Sequence, residues 1–246
     1  MQNAWIIARR ELGAIFVQPI AYVFIAAMTF ITGLIFAGQL SVVAQGFQGA
    51  TTPTAADFMG TFTFLGVFAI PAITMRLVSE ERQSGTVELL MTMPVTDGQV
   101  ILGKFFAALL LYAATVAITL IYPFVLLRFG NPDVGPIIST YLLVLLWGAS
   151  LIAIGIFTST ISTNQINAFM FSFAIILVFY LLSFLSNTAS FLPVQVSTVM
   201  RELSLVSHQD NFFNGVLTAK DVLYYVLVTG SFLFAAARFF ESRRWR

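Results

Sequence analysis

The sequence contains no cysteine and a single histidine, His208, in 246 residues. The lack of Cys removes disulfide frameworks, thiol nucleophiles and Cys-based metal sites. One His removes every multi-His metal motif, so neither a metal nor a cofactor is expected. Charge is scarce as well. Asp, Glu, Lys and Arg make up 9% of the chain, where soluble domains carry roughly 25%. Hydrophobic residues make up 59%, and Phe alone numbers 26. A soluble globule of this size could not hide that much apolar surface. Soluble enzymes, nucleic-acid binders and disordered chains are thereby excluded, and an integral membrane protein is left. The net charge of +1 says nothing about partners.

A membrane-spanning helix needs about 20 mostly apolar residues. Six stretches qualify: residues 20–38, 58–75, 100–127, 137–158, 166–185 and 222–240. The pattern predicts one all-α transmembrane domain over residues 1–246. The third stretch is long for a bilayer of about 30 Å, so its first turn, with Lys104, is expected to reach the interface and snorkel. With both termini on one side, that side holds Arg9, Arg10, Arg76, Arg82, Lys104, Arg238, Arg243, Arg244 and Arg246, nine of the 12 basic residues. Arg128, Arg201 and Lys220 fall on the other. The excess predicts cytoplasmic termini.

Ahead of the first span, residues 4–17 carry Trp5, Ala8, Leu12 and Ile15 at helical spacing, with Arg9, Arg10 and Gly13 off that stripe. Pro19 follows. This reads as an amphipathic elbow helix over residues 1–19, lying at the interface before the chain turns in. A plain extension of the first span is the alternative.

The spans lack ionisable residues near their middles, which weighs against ion-coupled transporters and charged-ring channels. HExxH and GxSxG are absent, which weighs against an intramembrane enzyme. Small residues at packing intervals are present instead: Thr29, Gly33 and Ala37, and Ala149 with Ala153. They suit either packing within one bundle or a dimer seam. Pro71 and Pro123 are expected to kink the second and third spans.

Residues 76–98 read as a cytoplasmic loop between spans two and three and hold Arg76 and Arg82 against Glu80, Glu81, Glu88 and Asp97. A segment lying on anionic lipid should be basic, so this one is expected to dock on a protein. Thr86 can cap a short helix that Pro94 ends, with Val87, Leu90 and Met91 on one face.

The run Glu81-Arg82-x-x-Gly85-Thr86-x-Glu88-x-Leu90-x-x-x-Pro94, then Gly103-Lys104, resembles the coupling-helix region of ABC-2 type permeases, the membrane subunits of ATP-binding-cassette transporters. Arg10-Glu11 followed by Pro19-Ile20-Ala21-Tyr22 looks like their start. Ser207-His208-x-x-Asn211-Phe212-x-x-Gly215, Asp221-Val-Leu-Tyr224-Tyr225 and Glu241-Ser-Arg243-Arg244-Trp245 resemble the gliding-motility permeases, and the nitrous-oxide-reductase maturation permeases look similar. The resemblance implies a six-span half-transporter with a short helix docked in a cytoplasmic ABC ATPase dimer. Glu80, Glu81, Arg82, Gly85, Thr86, Glu88, Leu90 and Pro94 would form that coupling element, and none would be catalytic. A second copy or a related permease would complete the membrane part, in contact with lipid. By the same analogy spans two and five would line the central cavity, with Phe62, Phe64, Asn167 and Phe171 as candidate path residues.

Gly98-Gln-Val-Ile-Leu-Gly103-Lys104 matches GxxxxGK, but Phe105 stands where a phosphate loop needs Ser or Thr, and a span follows instead of a strand preceding. ATP hydrolysis is therefore expected from a separate polypeptide. Residues 186–221 form the longest connection. Val196, Val199, Met200 and Leu203 make a helical stripe there, either a fold-back element at an exit gate or an interfacial cap. His208 is expected to be exposed and inert.

Overall fold

A computed structural model describes residues 2–45, 54–85, 96–129, 132–188 and 193–242. Every regular element among them is an α-helix: α1 (Gln2–Val17), α2 (Pro19–Ala44), α3 (Ala55–Thr74), α4 (Arg76–Gln83), α5 (Asp97–Thr119), α6 (Ile121–Phe129), α7 (Val134–Ile161), α8 (Gln165–Thr188), α9 (Val194–Leu203), α10 (Asp210–Phe213) and α11 (Ala219–Ser242). Among the described residues, six continuous stretches are long and apolar enough to cross a membrane. They are α2, α3 with α4, α5 with α6, α7, α8 and α11.

Local chemistry sets the element ends. Gln18 is extended, and Pro19 opens α2 at a position where its missing N–H costs nothing. The Asp57 carboxylate accepts from the Thr54 backbone N–H at 2.8 Å and starts α3. Asp133 accepts from the Gly135 N–H at 3.0 Å and starts α7. The third span breaks at Leu120. Pro123 has no N–H for the Thr119 carbonyl four residues back. That carbonyl accepts instead from the Tyr141 hydroxyl on α7, at 2.8 Å.

The core centres on α7, which packs against α3, α5, α8 and α11. In its most apolar stretch 61% of residues are buried, against 11% for α11. Two of its glycines permit close approach. A Cβ on Gly148 would lie 2.1 Å from the Tyr112 ring of α5, and one on Gly155 would lie 2.0 Å from the Thr74 hydroxyl of α3. Tyr112 is held there by a bond from its hydroxyl to the Val144 carbonyl, 3.0 Å. Gly33 receives the Tyr122 hydroxyl, which donates to the Thr29 carbonyl at 2.7 Å. That spaced series therefore packs within the bundle at Gly33.

Two expectations are corrected. Residues 76–83 are helical, with Leu77, Val78 and Ser79 buried, because α4 continues the second span past a break at Met75. In α1 the buried line is Ala4, Ala8 and Ile15, while Trp5 points outward with 58% exposure. The face is rotated toward Ala4 and Ile7, which lie against a glycine of α5. A Cβ on Gly103 would lie 2.6 Å from Ile7. The expected helix after residue 193 is present as α9, packed on α8 with no residue buried.

Candidate functional site

The end of the bundle where α1, α4 and α5 meet holds the densest charge. Lys104 on α5 is 2% exposed at its side chain. Its ammonium lies 2.7 Å from Glu81 of α4 and 3.5 Å from Glu11 of α1. Glu11 also takes Arg10 at 2.8 Å. Lys104 therefore does not snorkel to the interface. Two carboxylates from distant parts of the chain pair with it inside the bundle, where a lone ammonium would cost about 5 kcal/mol. One compact cation thus clamps three helices.

The rest of α4 is fixed from other directions. Ser159 of α7 accepts from the backbone N–H groups of Val78 and Ser79, at 3.1 and 3.0 Å, and donates to the Met75 carbonyl at 3.0 Å. The break at Met75 leaves backbone groups short of partners near the start of α4, and a hydroxyl from another helix supplies them. Arg82 donates to the carbonyls of Thr160 and Ser162 at 2.6 and 2.9 Å, gripping the turn between α7 and α8. Arg76 reaches the side-chain oxygens of Gln165 at 3.3 Å and Gln18 at 3.4 Å. Gly85 follows with φ at 74°, a left-handed value that favours glycine.

Of the sequence-derived coupling residues, the structure brings Glu80, Glu81 and Arg82 together on α4, with Gly85 just beyond it. Thr86, Glu88, Leu90 and Pro94 lie outside the described residues. Ser159, Thr160 and Gln165 escaped sequence reading, as did the pairing of Glu11 with Lys104, because the partners sit some 80 or more residues away. The path candidates separate. Phe62 is fully buried against Tyr112, with ring centroids 5.8 Å apart. Phe64 is half exposed and meets Phe68 and Tyr180. Phe68 meets Phe173, which stacks on Phe169. Asn167 and Phe171 are exposed on α8. The row Phe169, Phe173, Phe68, Phe64 and Tyr180 thus runs along α3 and α8, and only Phe64 belonged to the sequence set.

The opposite end carries a second polar knot. His208 is buried, 5% exposed, which corrects the expectation of an exposed side chain. Its Nδ1 lies 2.6 Å from the Asp221 carboxylate and its Nε2 lies 3.1 Å from the Glu202 carbonyl. Both neighbours are oxygen acceptors, one on each side of the ring. Asn211 donates to the other Asp221 oxygen at 2.8 Å, and Thr218 bonds the same atom. Tyr224 stacks on the imidazole at 4.1 Å. Lys220 pairs with Glu202 at 2.6 Å on the surface. Gly215, at φ 82°, rests on Pro136, and Ser139 of α7 donates to the Phe212 carbonyl at 2.6 Å. Among the described residues, no group of three or more His, Cys, Asp or Glu could hold a metal.

Among the described residues, six apolar spans, five of them around the buried α7, with charged clusters at the two bundle ends, define a multi-pass helical membrane protein. The family model for ABC-2 family transporter proteins matches residues 5–243, and the chain belongs to that family. It is thus a transmembrane ABC transporter subunit. The chain is 27% identical over 138 residues to the probable multidrug ABC transporter permease YbhR of Escherichia coli K12, and equally to that of Escherichia coli O157:H7. The match covers 56% of this chain and 36% of each relative, so the aligned part spans about a third of those proteins.

Proposed function

We propose that the chain is the membrane subunit of an ATP-driven exporter, moved by a separate cytoplasmic ATPase dimer that docks on residues 76–98. The observation that carries this reading is the buried cluster at the foot of that segment. Lys104 ties α4 to α1 and α5, while Arg82 ties it to the turn between α7 and α8. A displacement of the residues beyond Gly85 is then passed to four membrane elements at once. Glu80, Glu81, Arg82 and Gly85 form the near part of the coupling element, and Thr86, Glu88, Leu90 and Pro94 its continuation. The excess of basic residues, nine of 12, supports cytoplasmic placement of this end and both termini, in a chain of a prokaryotic inner membrane. A second copy or a related permease faces this one across α3 and α8. The aromatic row there, with Phe171 and Asn167 beside it and Phe62 behind, is the route for an apolar or amphiphilic substrate. The multidrug description of YbhR supports that substrate class.

Purification from native membrane in mild detergent should recover a stoichiometric ABC ATPase with one permease species or two. Recovery without any ATPase overturns the reading. In vesicles, Glu81→Ala should insert normally and still bind the ATPase, yet hydrolysis should no longer drive transport. Intact coupling in that variant removes the role given to Glu81.

A second reading is a force-transmitting membrane subunit of an envelope machine of the gliding type. The resemblance carried by Ser207, His208, Asn211, Phe212, Gly215 and Asp221 favours it. It predicts nucleotide-dependent conformational change with nothing moved across vesicles.

A further inference from the structure

We propose that the cavity between α1, the start of α2 and the α3–α4 junction binds a zwitterionic phospholipid headgroup, a phosphate joined to a primary ammonium. The cavity measures about 180 Å³, large enough for a headgroup and too small for a whole amphiphile. Its polar wall includes Glu11, Glu81 and Lys104, which neutralise one another and Arg10. Two charges on the same cavity are left over. Arg76 reaches only the neutral amide oxygens of Gln165 and Gln18, at 3.3 and 3.4 Å. Glu80 makes no side-chain bond or ion pair among the described residues.

These two residues stand one turn apart on α4 without pairing. With the base ahead of the acid, that spacing is the weaker of the two i,i+4 orders. A simple anion entering the cavity would meet Glu80, and a simple cation would meet Arg76. A molecule carrying both charges answers both. The guanidinium fork matches two phosphate oxygens, and the carboxylate accepts from an ammonium that can donate three bonds.

The apolar lining favours a lipid over a free phosphoethanolamine. Ile20, Ile73 and Leu77 complete the wall. Beyond Ile20 the surface continues over exposed Tyr22 and Val23 of α2, where acyl chains can lie. On its outer side α1 carries exposed Trp5, Arg9 and Arg10, the composition of a helix at a lipid interface. The site does not rest on the ATPase reading, because retention is measured on the permease alone.

The test is native mass spectrometry of the full chain after exchange through mixed vesicles of phosphatidylethanolamine, phosphatidylcholine and phosphatidylglycerol. Phosphatidylethanolamine should be retained over the other two by about tenfold, the scale of one charge-assisted hydrogen bond. Arg76→Gln and Glu80→Gln should each abolish that preference. Arg76→Lys should keep part of it, which separates loss of charge from loss of fold. Lys220→Ala should leave it unchanged. Equal retention in wild type and both Gln variants overturns the site. A preference for phosphatidylglycerol that only Arg76→Gln removes overturns the zwitterion. Displacement by free phosphoethanolamine as effective as by the lipid overturns the lipid source.

Discussion

The two ends of the bundle each bury one base against acid, yet the two clusters are built differently. At the α1 end, Glu11, Glu81 and Lys104 come from three helices, and the chain between the outermost two is 93 residues long. At the α9 end, Glu202, His208, Asn211 and Asp221 lie within 20 residues of one another, and most bonds stay inside that short segment. The first cluster joins rigid bodies, whereas the second shapes a local cap. A cluster between bodies can transmit movement, and a cluster within one segment mainly holds that segment in shape.

The largest expected effect tests that contrast directly. Lys104→Ala leaves Glu11 and Glu81 facing each other with no cation between them, each less than a fifth exposed. The loss should be about 3–5 kcal/mol, read as a lower midpoint of thermal unfolding in detergent, and coupling to the ATPase should fail as well. Lys104→Met combined with Glu11→Gln and Glu81→Gln should regain much of the stability but not the coupling. Recovery of both would show that the cluster serves only packing.

Asp221→Asn is intermediate. It removes the charge that His208, Asn211 and Thr218 all address, at about 2 kcal/mol. Coupling should survive, because the bonds lost are local to the cap. An uncoupled but well-folded Asp221→Asn protein would erase the distinction between the two ends.

The smallest effect belongs to the exposed pair Lys220 and Glu202, with 64% and 47% side-chain exposure. Lys220→Ala should cost no more than about 0.5 kcal/mol after solvent screening. The hydrogen bond from Lys220 holds the Glu202 carboxyl below its usual range. Its small contribution is therefore present at neutral pH and is lost as pH falls through the folded value. A difference between wild type and Lys220→Ala that persists at low pH would show that packing, not charge, is involved.

The spans were legible because lipid imposes a long apolar run that local composition reveals. The break in the third span was legible through Pro123, although its place at Leu120 and its repair by Tyr141 were not. The charged residues after Met75 looked like a loop. Arg76, Glu80, Glu81 and Arg82 within seven positions contradict a continued helix until Ser159, Thr160 and Gln165 are placed beside them. Lys104 was misplaced for the same reason, since the acids that allow its burial sit on other helices. His208 had a nearer signal. Asn211, Thr218 and Asp221 are polar residues gathered just before a span, and such a group can enclose an imidazole. The aromatic row showed in part: Phe64 with Phe68, and Phe169 with Phe173, repeat at four residues, but the alignment of α3 with α8 follows from packing alone.

The two notches on α7 have a mechanical consequence. Gly148 receives a ring from α5, and Gly155, two turns on, receives a hydroxyl from α3. Both keys enter sideways at different heights, so α7 cannot slide along its own axis without Tyr112 and Thr74 climbing out over larger neighbours. Under the exporter reading proposed above, a stroke passed through this helix would therefore reach the far face as a change of tilt rather than as a shift along its axis.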